Sequence, residues 1–341
     1  MKEKLLFFSI KHPLLYILSL AMLLKLLAAI VTQGMVIDNV YFNYFNVPTS
    51  WLAKPWLVFI IRLLLGAFSL LIITFGYRIV KIISDKTTAL ESATLLAFLS
   101  LMPYITVHPM PSVMAIPFLL YGTLLIVKQH YLIYDNETEK FHRTTFIVAG
   151  FSLGLSFALW HHNLFYFAGI IIALFILKNK KGALMSLLGF IIAICITETI
   201  PDLIIYNRPF VRLIKFANNS WDFIINKDIL WRYGGSLIPI GTFLITFVPL
   251  SIMVLFGFFR VWKKYLLLFL PTLVYVLFPN PEWISLYSVI PTFIICGFVG
   301  WKEFKHNSKF WDNDKRILLI LNILSIMVNT AFLVYIFVKN I

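Results

Sequence analysis

Asp38 follows the first long apolar run of this chain and is the acid best placed to take a proton from a hydroxyl group. Arg208 and Arg212 stand four residues apart, beside Tyr206 and after Asp202, in the longest polar segment. Guanidinium groups there suit a phosphate, which arginine holds through two parallel hydrogen bonds. Glu282 adds a second late carboxylate, and His108, His161 and His162 add groups that exchange protons near neutral pH. His161 and His162 are adjacent, so on a helix they point about 100° apart, which argues against a shared metal site. Aromatic residues beside these groups suit a sugar ring or a lipid headgroup. Each has a plainer reading: Asp38 as an ordinary loop acid, and Arg208, Arg212 and Lys215 as solvated or lipid-phosphate contacts. Trp160, Trp221, Trp231 and Trp283 read as residues of an interfacial aromatic belt rather than as ligand contacts.

The elements that must position these groups are apolar. Of 341 residues, 60% are hydrophobic and only 13% charged, and the mean hydropathy is +0.89. No soluble domain of this length needs so much apolar material, so the solvent is largely lipid. The runs are long and continuous rather than alternating, which predicts an all-α polytopic bundle and not a barrel. About eleven spans are expected, near 13–33, 56–77, 88–106, 110–128, 144–160, 163–178, 182–201, 236–259, 264–278, 284–301 and 317–338. They form one membrane domain over residues 1–341, with no convincing internal repeat. The two cysteines, Cys195 and Cys296, both lie in apolar runs, where neither a disulfide nor a zinc site is expected. The basic N-terminus lacks a small-residue cleavage pattern and reads as the start of a retained first helix.

The basic residues set an orientation. Twenty of the 29 lysines and arginines fall in alternate loops on one side, seven fall on the other, and Lys25 and Arg62 lie within spans. The positive-inside rule then makes the N-terminus cytoplasmic and accounts for a net charge of +14 without nucleic acid. The opposite, external face gathers the loops 34–55, 104–111, 160–163, 202–235 and 278–283, with 34–55 and 202–235 as the candidate active face. Intramembrane charges are costly and point to function by default. Arg62, about 9 Å below the external end of its helix at 1.5 Å per residue, is expected to snorkel outward, to pair with Asp38 or to meet a lipid phosphate. Lys25 has Glu91 or Glu198 as potential partners.

Four stretches together resemble the GT-C glycosyltransferases, specifically family 22, the lipid-phosphate-mannose-dependent mannosyltransferases and their bacterial relatives. The first is Ile37-Asp38-Asn39 after helix 1, where that family has Asp-Glu. The second is GFSLGLSFALWHHNLF at 150–165, with WHHN in place of Arg-x-Gln. The third and strongest is Asp202-Leu-Ile-Ile-Tyr206-Asn207-Arg208 with Phe216-Ala-Asn218 and Tyr233-Gly234. The last is Asn280-Pro281-Glu282-Trp283-Ile284-Ser285 with Pro291, in place of His-Lys-Glu-x-Arg-Phe before a proline-containing helix.

The resemblance implies a GT-C-like bundle that inverts a mannose-like sugar as it moves from a polyprenyl-phosphate donor to an external acceptor. Asp38 carries over as the base, and Asp202 and Glu282 match family positions. Arg62, His108, His161, His162, Tyr206, Arg208 and Arg212 complete the expected donor and substrate contacts. The reaction is compatible with or without a divalent ion. The expected partners are membrane lipids and the lipid-linked donor, in a bacterial inner membrane with the active face periplasmic or extracellular. The alternative is a catalytically inactive relative acting as a subunit or scaffold of an envelope complex with a membrane protein partner. A transporter or flippase is a third reading, which Lys25, Arg62, Glu91 and Glu198 supply with few midplane polar groups.

Overall fold

A computed structural model of the chain describes residues 11–31, 54–98, 106–135, 142–226, 250–260, 262–278 and 287–306, together with residues 327, 331 and 334. These are mostly helical, joined by short turns, and no strand occurs among the described residues. The helices are α1 (Pro13–Val31), α2 (Pro55–Ile83), α3 (Lys86–Phe98), α4 (Pro111–Met114), α5 (Ile116–Asp135), α6 (Arg143–Leu159), α7 (Asn163–Ile176) and α8 (Lys180–Ile194). A five-residue π-helical turn, Cys195–Thr199, joins α8 to α9 (Ile200–Tyr206), and α10 (Val211–Asn226), α11 (Leu250–Arg260), α12 (Leu266–Leu277) and α13 (Ile290–His306) follow.

Local chemistry sets several of these boundaries. Proline opens α1, α2 and α4, where its missing N–H costs nothing. Asp85 accepts hydrogen bonds from the Thr88 N–H and hydroxyl, each at 2.8 Å, and so starts α3. The Asn179 side chain accepts from Gly182 N–H at 2.9 Å at the start of α8.

Among the described residues, four helical stretches are long and apolar enough to cross a membrane: Pro13–Ile30, Pro55–Ile83, Pro111–Tyr131 and Lys180–Tyr206. Arg143–Leu159, Asn163–Ile176 and Leu266–Leu277 are apolar but shorter. Described helical residues fall within all eleven expected stretches. The last expected span is represented only by residues 327, 331 and 334. The segment read as a fourth loop from residue 202 instead continues as helix to Tyr206 and resumes as α10. Its polar residues sit on helices because their hydrophobic neighbours recur with helical spacing on one face of α10.

Glycine faces bring helices into backbone contact. A Cβ on Gly150 of α6 would stand 1.8 Å from the Ser186 carbonyl oxygen of α8, and one on Gly189 of α8 would stand 2.0 Å from Ile147 O. Gly257 and Gly297 bring α11 and α13 together in the same way. In lipid, where apolar side chains gain little by leaving solvent, such close approach supplies much of the packing energy. The α8 to α9 stretch turns Leu184, Leu188, Ile191, Ile196, Ile200 and Ile204 outward, as a lipid-facing surface should.

Candidate functional site: a carboxylate pair, Arg212 and His161

The π-helical turn ends the apolar course of α8 and places Glu198 inside the protein. Asp202 follows four residues later, in the first turn of α9. Both acids are buried, at 1% and 0% exposure. Asn207, at φ 52°, ends α9 in the left-handed conformation that commonly closes a helix, and Phe210 is also left-handed at φ 62°. This turn reverses the chain so that the second residue of α10, Arg212, returns over the two acids.

Arg212 is held in several ways. Its Nε donates to Asp202 Oδ1 at 2.7 Å, and its backbone N–H donates to Oδ2 at 3.1 Å. Its Nη2 donates to the carbonyl oxygens of Thr197 at 3.3 Å and Glu198 at 3.4 Å. Glu198 is engaged more loosely, with Oε2 3.3 Å from Arg212 Nε and Oε1 3.5 Å from His161 Nε2. His161 stacks on Phe216 of α10 with ring centres 5.2 Å apart, and Phe157 meets it edge-on. The Arg212 side chain is 40% exposed and that of His161 17%, so the cluster opens outward over a buried acidic floor.

Charge stoichiometry shapes its chemistry. Two carboxylates face one guanidinium, so with His161 neutral the group carries one net negative charge. One proton, on His161 or Glu198, neutralises it. Glu198 has the longer contact with Arg212 and Asp202 the shorter. A carboxylate and an imidazole within reach of one another are the parts of a proton-exchanging pair, and a half-exposed guanidinium beside them is an anchor for an anion.

Of the residues singled out in the sequence, His161, Asp202 and Arg212 come together here, and Tyr206 lies within electrostatic reach of Arg212. Arg208 is exposed on the turn before α10 and has no ion pair among the described residues. His162 diverges from His161, as their adjacency requires. It is buried against Phe165 and Tyr275 at the start of α7. Burial lowers its pKa to about 3, with backbone groups of Tyr275 and Phe278 pulling partly the other way. Asp38 and Glu282 lie outside the described residues.

Arg62 and His108 meet elsewhere, between α2 and the turn before α4. Arg62 does not snorkel: it is 0% exposed and its Nη1 donates to Ala29 O of α1 at 3.3 Å. Burial and then the neighbouring Arg62 charge lower the His108 pKa to about 3. Neither acid expected for Lys25 reaches it. Glu91 pairs with Lys302 at 2.5 Å and Glu198 with Arg212, because those acids face α13 and α10 rather than α1.

Glu198 is the site residue that motif reading passed over. The available signal was a carboxylate deep in an apolar run, one helical turn before Asp202. No group of three or more His, Cys, Asp or Glu side chains is arranged to hold a metal ion among the described residues. No family model matches the chain, and comparison with curated proteins and with solved structures finds no significant match.

Proposed function

We propose that this chain is a multi-pass membrane glycosyltransferase of the bacterial inner membrane. It moves a mannose-like sugar from a polyprenyl-phosphate donor to a hydroxyl acceptor on the external face. The observation that carries this reading is the cluster itself: a half-exposed arginine and a histidine over two buried carboxylates, at the end of a 27-residue apolar stretch. That position suits a lipid whose tail lies along the helix and whose phosphate reaches the guanidinium. The amphipathic α10, which carries Arg212 and Phe216, suits the boundary between lipid and water.

In this reaction the acceptor oxygen attacks the anomeric carbon from the face opposite the phosphate. The bond from that carbon to the phosphate oxygen breaks, the lipid phosphate leaves with the bonding electrons, and the acceptor proton passes to a carboxylate. The configuration at the sugar is inverted. Arg212 donates hydrogen bonds from its exposed side to the leaving phosphate, which gains charge as the bond breaks. The resemblance assigns the base to Asp38; Glu198 with His161 forms a second proton-accepting pair beside the phosphate.

A second reading has its own support. Arg212 is already engaged by Asp202 through both side chain and backbone, as a structural staple would be. That favours an inactive subunit or scaffold of an envelope complex.

Proteoliposomes loaded with polyprenyl-phosphate mannose and a soluble glycan acceptor separate the two. The enzyme reading expects turnover that falls about 100- to 10,000-fold in Glu198→Gln or Asp38→Asn at unchanged expression. Absence of donor turnover, with a protein partner co-purifying stoichiometrically, overturns it in favour of the scaffold.

A further inference from the structure

Beyond the cluster the surface changes character within a few residues. Ile204 and Ile205, near the end of α9, are 76% and 66% exposed and continue the outward-facing apolar surface of α8. Residues 207–210 then leave the helix and are exposed. Backbone of that kind has no partners in hydrocarbon, so this corner lies at the level of the lipid headgroups. Arg208 sits in the corner, three residues past Ile205, and Lys215 is the fifth residue of α10. Both are exposed, and neither makes an ion pair among the described residues. Phe210 and Ile214, within two positions of these cations in the chain, are exposed as well, at 38% and 56%. No acid occurs in residues 203–221, and the preceding acids, Glu198 and Asp202, are buried. The charge exposed at this corner is therefore wholly positive. Along α10 the polar residues Arg212, Lys215, Asn219, Asp222 and Asn226 recur every three or four positions, the pattern of a helix that lies along an interface. Its one acid, Asp222, comes seven residues after Lys215, about 10 Å along the helix.

We propose that the corner between α9 and α10 is a docking surface for anionic phospholipid of the bilayer. Arg208 and Lys215 meet the headgroups, while Ile205, Phe210 and Ile214 meet the acyl chains. Two observations select this occupant. The apolar part is continuous with the lipid-facing side of a 27-residue helical stretch long enough to cross a membrane. The charged part complements a phosphodiester, which accepts from a guanidinium and an ammonium, and long cationic stems reach from apolar surface to that level. A second copy of this chain, paired by two-fold symmetry over the same patch, would set these cations against their own images. Lipid held here fixes the depth of α10, and so of Arg212 on it. Such docking goes beyond the proposed reaction and requires no sugar transfer.

A local probe separates this corner from the many basic residues elsewhere in the chain. Ile214→Cys, in a Cys195→Ser background that leaves only the buried Cys296, is labelled with a fluorophore. The full-length protein is then placed in liposomes without any sugar donor. Quenching by phosphatidylglycerol with brominated acyl chains is compared with quenching by brominated phosphatidylcholine at equal mole fraction. Phosphatidylglycerol is expected to be preferred about fivefold or more, since each Lys or Arg near an anionic surface supplies a factor of about five. Arg208→Gln with Lys215→Gln is expected to bring the ratio to about one, and Lys263→Gln to leave it unchanged. In about 1 M salt, where charges are screened within about 3 Å, the preference is expected to collapse without any substitution. Equal quenching by the two lipids in the parent protein, or a preference that survives both the double substitution and salt, overturns the proposal. A label that neither lipid quenches, in a protein that is dimeric by light scattering, overturns it in favour of a second copy. Lipid preference at this corner with no donor turnover leaves the proposal standing and counts against the glycosyltransferase reading alone.

Discussion

Arg212 Nε lies 2.7 Å from Asp202 Oδ1, and this contact fastens α10 to the end of the membrane-length stretch that precedes it. The two residues are ten positions apart, across a turn that contains two left-handed residues. A turn so constrained places α10 only where an anchor holds it. Because the arginine is partly solvated, the pair is worth less than a fully enclosed one. A double-mutant cycle of Asp202→Asn and Arg212→Gln, read by thermal unfolding in detergent, is expected to give a coupling of about 1 kcal/mol. Additive single effects would show that α10 is held by its apolar contacts instead.

Arg212→Lys separates charge from geometry. Lysine keeps the positive charge but loses the fork that reaches Asp202, Thr197 and Glu198 together. Donor turnover is expected to fall about tenfold or more in this variant, with the larger part in KM if Arg212 holds the donor phosphate. Steady-state kinetics against donor concentration measures the split.

The glycine contacts make a prediction about folding alone. Gly189→Ala places a methyl group 2.0 Å from Ile147 O, where backbone must move, and is expected to destabilise the protein by about 1–3 kcal/mol. Gly66→Ala meets its nearest atoms at 3.5 Å and is expected to be neutral or slightly stabilising. Melting temperatures of the two variants in one detergent give the comparison.

Acid should weaken the fold before its carboxylates titrate. His108 and His162 are held neutral when folded, each with a pKa lowered from 6.5 to about 3. The unfolded chain therefore binds protons that the folded chain refuses. Stability falls as pH drops below about 6.5, by at most about 1.4 kcal/mol per pH unit per histidine, and levels near pH 3. Asp85, whose pKa is lowered by its bonds to Thr88, adds a loss only as pH falls below the usual carboxylate range near 3.8. A His162→Asn variant is expected to show a shallower decline of melting temperature between pH 7 and pH 5.

Much of the architecture was legible because lipid imposes a simple rule: apolar runs become helices. Asp202 and Arg212 were each legible as a candidate residue but not as a pair, and both were read as loop residues, since their short polar neighbours masked the helical periodicity that α9 and α10 follow. Arg62 was visible as an intramembrane charge, but its direction was not. Distance from a helix end says how far a side chain must reach, not which face of the helix α1 covers. Glu198 was visible as an acid in an apolar run, but its place in the site was hidden for a different reason. Ideal α-helical phase cannot say which face a residue takes once the chain passes through a wider turn.

That wider turn has a consequence for descent as well as for geometry. A π-helical turn holds one residue more than the α-helical path it replaces. Removing Ile196 would let Lys180–Tyr206 run as an unbroken α-helix, with every downstream side chain rotated by about 100°. The carboxylates would then swing away from His161, which precedes the turn, although no acidic residue had been altered. The cluster is thus sensitive to the number of residues before it as well as to their kind, and a relative that keeps both acids but lacks this extra position has lost their meeting point.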